Sequence, residues 1–429
     1  MKVLMFGWEF PPHITGGLGT ACYGLTKGLS HFGAEVIFVV PKMYGDERSK
    51  YVKIKGAGDV VITEKRKQYS EFWDKFKYLE VGSNLIPYMD PEEFAKIYSK
   101  NILTGAEFRE QIFKTKFTFS GTYGKDLFQE VARYALIASY IAAGNSFDII
   151  HAHDWLTYSA GIAAKEVSGK PLVVHMHATE FDRSGDNINQ RVYDIERAGM
   201  EAADKVIAVS NLTRRIIIER YGIPAEKVVT VHNSVEPITL PEDFKLTKGF
   251  KEKTVTFLGR VTFQKGPDYF IEAAKKVIDK DPNVRFVMAG SGDMLNRMIK
   301  RVAKLGIATK FHFAGFLKGQ EVYDMFSLSD VYVMPSVSEP FGISPLEAMM
   351  SDVPVIISKQ SGVAEVLKHA LKVDFWDIDD MADAIYGLLH YEGLSKMFKK
   401  YGKQEVESLR WENSAFKVKE VYKSLVGDL

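Results

Sequence analysis

The segment Glu339-Pro-Phe-Gly-Ile-Ser-Pro-Leu-Glu347 holds two carboxylates with seven residues between them and Gly342 in the interval. Carboxylates accept hydrogen bonds from hydroxyls. The backbone amides around Phe341, Gly342 and Ile343, at the start of a helix, are free for hydroxyls or an anion. Together they suit a polyhydroxylated ligand such as a nucleotide sugar. The plainer alternative is a loop acid beside a surface-helix glutamate. In Gly259-Arg260-Val-Thr-Phe-Gln-Lys265-Gly266, two cations five positions apart in a glycine-bounded loop could neutralise a pyrophosphate that departs with growing negative charge. Solvated surface cations are the alternative there.

Three further groups of residues could take part. Thr15-Gly16-Gly17-Leu18-Gly19 can bring backbone amides close to a diphosphate at a helix N-terminus. It has neither the spaced glycines of dinucleotide folds nor the Gly-Lys-Ser/Thr of a P-loop. His151-Ala-His153-Asp154-Trp155 ends a strand, and His175 and His177 repeat the spacing. Alternate strand residues are expected on opposite faces, so a metal shared by His151 and His153 is not expected. His153, at the strand's carboxyl end, is the one expected to reach a ligand. Gly290-Ser-Gly-Asp293 and Ser361-Gly362-Val363 are glycine turns after strands, and the first could close over a nucleotide.

Positioning these loops takes parallel sheets. Apolar strand-like runs alternate with helical patterns twice over, the mark of two α/β units. The first set is Val3–Phe6, Glu35–Val40, Asp148–Ile150, Leu172–His175 and Lys205–Val209. The second is Thr254–Leu258, Val284–Met288, Phe311–Phe313, Val331–Val333 and Val353–Ile357, where Pro354 argues mildly against a central strand. Asp330–Ser336 reads as a buried strand running into a loop and Leu346–Met350 as a helix. Glu339 therefore lies at the carboxyl edge of the strands, where open α/β sheets bind ligands.

We expect a first domain over 1–236, a linker near 233–249, a second domain over 250–408, and a last helix in 409–429 that could return to the first domain. The stretch 45–123 breaks the rhythm and reads as an insertion. It is rich in aromatics from Tyr69 to Phe119, and Asp90-Pro-Glu-Glu93 marks a helix start. Those aromatics either pack on themselves or form a platform for sugar rings. A helix is expected over Asp126–Gly144.

At 429 residues the chain exceeds one compact core. Its formal net charge of +1 implies no nucleic-acid or anionic-membrane partner. A lone cysteine, Cys22, excludes a disulfide framework and suits a reducing cytosol. No apolar run is long enough to span a bilayer, so a cytoplasmic protein is expected. The sequence leaves the oligomeric state open.

Taken in order, Gly16-Gly17-Leu18-Gly19, His151–Trp155, Gly259-Arg260 with Lys265-Gly266, Gly290–Asp293 and Glu339–Glu347 resemble the retaining GT-B glycosyltransferases, and more narrowly the glycogen and starch synthase-like members. The resemblance spans essentially the whole chain. It implies an α/β GT-B fold, two Rossmann-like domains whose parallel sheets face each other across a cleft. It also implies a nucleotide sugar held mainly by the second domain, no cofactor and no metal. By resemblance, Arg260 and Lys265 would stabilise the leaving diphosphate and Glu339 would sit by the donor sugar. Glu347 would hold the ribose, His153 would touch the sugar near its anomeric carbon, and Gly17 would bring amides to the phosphates. Two positions depart from the synthase pattern: Ile14 where a lysine is common, and Phe341 where many members have cysteine.

The expected activity is glucosyl transfer from UDP-glucose or ADP-glucose to the non-reducing end of an α-1,4-glucan. Alternatives are another hexosyltransferase acting on a surface polysaccharide, glycolipid or small glycoside, and a non-catalytic nucleotide-sugar-binding protein. A nucleotide-sugar hydrolase or epimerase is a further rival. A lipid acceptor would call for a membrane-facing patch, for which Lys65–Phe76 is the candidate.

Overall fold

The computed structural model describes residues 1–13, 16–47, 51–60, 119–121, 127–236 and 248–427. These form two domains, each built on a parallel sheet. The first sheet contains β1 (Lys2–Phe6), β2 (Glu35–Val40), β3 (Lys53–Gly56), β4 (Ile149–His153), β5 (Leu172–Met176), β6 (Lys205–Ala208) and β7 (Val228–Thr230), in the order β3-β2-β1-β4-β5-β6-β7. The second contains β8 (Lys253–Leu258), β9 (Val284–Ala289), β10 (Phe311–Gly315), β11 (Val331–Met334), β12 (Val355–Ser358) and β13 (Leu371–Val373), in the order β10-β9-β8-β11-β12-β13. Central strands such as β1 and β11 are apolar along their length because helices cover both faces.

Chain order reverses between β1 and β4 in the first sheet and between β8 and β11 in the second. Crevices at such switch points are where open α/β sheets take ligands. The four loops singled out by chemistry follow those four strands. Gly16–Gly19 leads into α1 (Gly17–His31), and His153-Asp154 into α3 (Trp155–Ser168) after the intervening α2 (Leu127–Ala143). Arg260–Gly266 leads into the helix Pro267–Lys280, and Glu339–Ile343 into the helix Ser344–Met350.

Among the described residues, the remaining first-domain helices are α4 (Glu180–Ser184), α5 (Gln190–Ala202) and α6 (Asn211–Tyr221). In the second domain follow α7 (Pro267–Lys280), α8 (Leu295–Lys304), α9 (Gln320–Ser327), α10 (Ser344–Met350), α11 (Ile378–His390) and α12 (Glu392–Glu407). The last helix, α13 (Trp411–Val426), lies on α1. Glycines permit that approach: a methyl at Gly24 would fall 2.3 Å from the Trp411 ring, and one at Gly28 would fall 2.7 Å from Ala415 Cβ. Tyr422 of α13 reaches the sheet and hydrogen-bonds His151 Nδ1. Burial of Trp411 in this contact makes it a large stabilising side chain, with truncation to alanine costing about 3–5 kcal/mol.

Strands β3, β7 and β13 were not legible in the sequence. All are edge strands of three or four residues, and β3 (Lys-Ile-Lys-Gly) carries the charges that blunt an edge. β3 also lies inside the stretch read as an insertion. Pro354 is no obstacle, because β12 begins one residue later and the Pro354 carbonyl accepts from the Tyr332 N–H at 3.0 Å. The helix expected at Asp90, the aromatics Tyr69–Phe117 and the Lys65–Phe76 patch lie outside the described residues. Phe119 is described and is buried edge-on against Tyr134. Among the described residues, no helix is long and apolar enough to cross a membrane.

Candidate active site

Loop geometry at the second sheet follows from close backbone packing. Gly266 has φ +65°, and a methyl there would lie 2.1 Å from the Pro335 carbonyl oxygen. The Arg260–Gly266 turn is thereby pressed onto the start of the Glu339 loop, and the Val337 N–H donates to the Gln264 carbonyl at 2.9 Å. This contact brings the two sets of chemistry together. Lys265 Nζ hydrogen-bonds Glu339 Oε2 as an ion pair, and Ser336 Oγ donates to the same oxygen at 3.1 Å. Arg260 is exposed beside them, its Nη2 donating to Gln264 Oε1 at 3.1 Å.

Gly290 and Gly292 serve the same loop from behind. A methyl on Gly290, which has φ +141°, would fall 1.8 Å from the Gly259 carbonyl oxygen, and one on Gly292 would fall 2.3 Å from that of Val261. The Val261 N–H donates to the Ser291 carbonyl at 2.9 Å. These glycines therefore hold the Arg260 loop in place by backbone contact.

Within Glu339–Glu347 the side chains divide. Phe341 is 2% exposed and packs in the core with its ring 6.1 Å from His232 of the first domain. Its side chain fills the domain junction. Gly342 turns the chain at φ +100°, and Ile343 packs against apolar clusters of both domains. The carboxyl of Glu347, on the first turn of α10, has no hydrogen-bond or ion-pair partner among the described residues. Burial pushes its carboxyl up to about 7. A half-buried carboxyl lacking a partner at a switch point is poised to accept from a ligand's hydroxyls.

On the first domain, Gly16 caps α1 and Gly17 opens it, both exposed and with open space where a Cβ would project. The Gly19 N–H donates to the buried Glu9 at 3.4 Å. His151 and His153 lie on one face of β4 with rings stacked 4.3 Å apart, which corrects the expectation of opposite faces: residues two apart on a strand share a face. His175 and His177 complete a four-histidine stack. His153 is fully buried, and its Nδ1 is 2.9 Å from His177 Nε2. His177, half-buried, stands nearest solvent.

Burial drives His151, His153 and His175 well below the usual histidine range, with neighbouring histidines adding to the effect, so they stay neutral near pH 7. Ring nitrogens of His151, His153 and His175 lie within 4.8 Å of one another, so this trio could hold a metal, as could His13 and Asp46, both exposed, with the half-buried Glu47. Nε2 of His151 and His153, and both ring nitrogens of His175, have no hydrogen-bond partner among the described residues.

Several residues around these loops had no individual role assigned from sequence. Asp154 adopts φ +60° and its Oδ1 accepts from the His177 N–H at 2.9 Å, setting the loop after β5. Thr179 and Asp182 form a reciprocal cap on α4, a pattern visible in Thr179-Glu-Phe-Asp182. Asp182 then accepts from Ser338 Oγ at 2.5 Å across the domain seam, one residue before Glu339. Arg183 beneath it donates to Glu196 at 2.8 Å, and burial pushes Glu196 up to about 7.

Comparison with known proteins agrees with this geometry. Residues 241–405 match the family model described as glycosyl transferases group 1, and residues 106–237 match glycosyltransferase family 4. An uncharacterised glycosyltransferase of Methanocaldococcus jannaschii is 29% identical over 99% of this chain and 98% of its own length. Glycogen synthase of Mycobacterium tuberculosis is 22% identical over 98% of this chain and 94% of its own. HepE of Anabaena, solved with UDP and glucose, shares the fold with a TM-score of 0.66 at 17% identity, covering 99% of this chain and 100% of that one. With two parallel-sheet domains and its site loops at both switch points, the chain has the GT-B fold, its second domain matches the group 1 glycosyltransferases, and it is a glycosyltransferase that draws its sugar from a nucleotide donor.

Proposed function

We propose that this enzyme is a retaining glucosyltransferase that extends an α-1,4-glucan from UDP-glucose or ADP-glucose. The observation that carries the reading is the Lys265–Glu339 pair, seated where the Arg260 and Glu339 loops meet at the second sheet's switch point. A bound donor exchanges those partners: its diphosphate takes Lys265 and Arg260, and Glu339 is released to accept from the sugar's hydroxyls. Glu347 accepts from the ribose, and the backbone at Gly16-Gly17, where a side chain would meet open space, faces the phosphates.

In the step itself the bond between the anomeric carbon and the phosphate oxygen breaks. The acceptor oxygen bonds the same face of that carbon, and its proton passes to the departing phosphate oxygen. Lys265 and Arg260 stabilise the charge that develops there. Such catalysis rests on positioning and preorganised charge. Burial keeps His153 neutral, so it serves as a hydrogen-bonding group rather than a cation. The relative named glycogen synthase supports the glucan acceptor.

Ile14 and Phe341, which depart from the synthase pattern, favour a second reading: hexosyl transfer to a different saccharide or small acceptor on the same machinery. Proton NMR of the purified product tests the stereochemistry. An α-linkage made from an α-linked donor is expected, and a β-linkage would refute retention.

A further inference from the structure

The Glu339 loop is tied to the first domain at more places than its own sequence suggests. Glu365 ends a short 3₁₀ turn, Gly362–Glu365, in the second domain. Its carboxylate accepts from the Asn211 N–H at 2.9 Å and the Leu212 N–H at 2.7 Å, the first amides of α6 in the first domain. The same group lies 2.8 Å from His232 Nε2, just beyond β7. One carboxylate thus satisfies two orphan helix amides and an imidazole of the opposite domain, and charge-assisted bonds of this kind are among the stronger ones.

That turn is laced to the Glu339 loop. The Glu339 N–H donates to the Gln360 carbonyl at 3.0 Å, the Gly362 N–H to the Glu339 carbonyl at 2.9 Å, and the Val363 N–H to the Phe341 carbonyl at 2.8 Å. Gly362 sits against both domains: a methyl there would meet the Pro340 oxygen at 2.2 Å and Ser210 Cβ at 2.5 Å. Thr213 Oγ1, next along α6, donates to the Pro340 carbonyl at 3.4 Å.

We infer that Glu365 is a positioning residue for sugar transfer, fastening the loop that carries Glu339 to α6 and so coupling domain closure to placement of the donor-site carboxylate. The inference rests on the proposed role of Glu339. A neutral amide at this position cannot serve as well, because its NH₂ would face the amide donors of α6.

The test compares wild type with Glu365→Gln and Glu365→Ala. Steady-state kinetics with UDP-glucose or ADP-glucose give kcat and KM, and thermal melting monitors folding. Small-angle X-ray scattering of the protein alone gives its radius of gyration. We expect kcat to fall at least about tenfold, since small misplacements of a catalytic group cost that much or more. Donor KM should change less than about threefold, melting should shift by only a few degrees, and the variants should be measurably more expanded. Glu365→Asp should recover part of the lost kcat. Unchanged kcat and radius, or a loss of activity that only follows unfolding, would overturn the inference. Should wild type itself transfer no sugar, the functional reading fails, and the radii still decide whether Glu365 holds the domains together.

Discussion

Glycines mark both the first-domain loop at Gly16-Gly17 and the second-domain turn at Gly290–Gly292, yet they are there for different reasons. At 16 and 17 a side chain would enter open space. At 290 and 292 it would collide with backbone at 1.8 and 2.3 Å. The first loop keeps a surface bare for something to approach, and the second spaces two loops that are already packed. A glycine-rich turn after a strand therefore identifies a close approach without identifying what approaches. The two carboxylates of the Glu339–Glu347 segment divide in the same way: Glu339 already has partners in Lys265 and Ser336, and Glu347 has none among the described residues.

Removing the engaged carboxylate should have the largest effect. Glu339→Ala or Lys265→Ala is expected to lower turnover by about 10²–10³-fold, the loss typical of removing a group that stabilises transition-state charge. Glu339 is buried, so Lys265→Ala also strands a charge and should lower melting, whereas Glu339→Ala removes that charge and should cost less stability. Activity in Glu339→Ala that falls only in step with unfolding would make the pair structural. Gly290→Ala comes next and should act through the fold. Its methyl has no room and its φ is left-handed, so a loss of about 2–4 kcal/mol in unfolding free energy is expected by chemical denaturation.

Gly17→Ala should do the opposite. Stability should hold or rise by up to about 1 kcal/mol, since alanine favours a helix over glycine, while donor KM worsens several-fold. Equal destabilisation by the two glycine variants would erase the distinction drawn between the loops.

The smallest effect concerns the partnerless Glu347. Its carboxyl is raised from the ordinary glutamate value to about 7 by burial. The folded protein therefore holds a proton that the unfolded chain has already lost, and this site withdraws stability as pH climbs from about 4.5 to 7. Ribose hydroxyls donate to the ionised form, so UDP affinity should increase a few-fold as pH rises from about 6 to about 8. Glu347→Gln should remove that share of the slope and leave only the titration of UDP itself. Calorimetric titration at several pH values would show it, and an identical slope in the variant would dismiss Glu347 as a ligand group.

Much of the architecture could be read from the chain because long apolar runs such as Glu35–Val40 and Val284–Met288 have a period and length that only a buried strand explains. Short edge strands were invisible for the converse reason: Lys53–Gly56 buries little and carries two lysines. The Lys265–Glu339 contact joins residues 74 apart and depends on how tightly Gly266 packs on Pro335, which spacing along the chain does not encode. The residues of the seam, Asp182, Ser338, Thr213, His232 and Glu365, carry no local pattern except the Thr179–Asp182 cap. They acquire meaning only when the second domain is placed against the first. The histidine faces were misjudged from sequence, although the two-residue strand period was enough to place His151 and His153 together.

The most direct measurement is product analysis after mixing the protein with UDP-glucose or ADP-glucose, each with and without a maltooligosaccharide primer, alongside Lys265→Ala as a control. A ladder of longer glucans with release of UDP or ADP, absent in the variant, is the predicted result. No elongation from either donor, with saturable binding of some other nucleotide sugar, would contradict the glucan synthase reading and assign the same loops to a different hexosyl transfer.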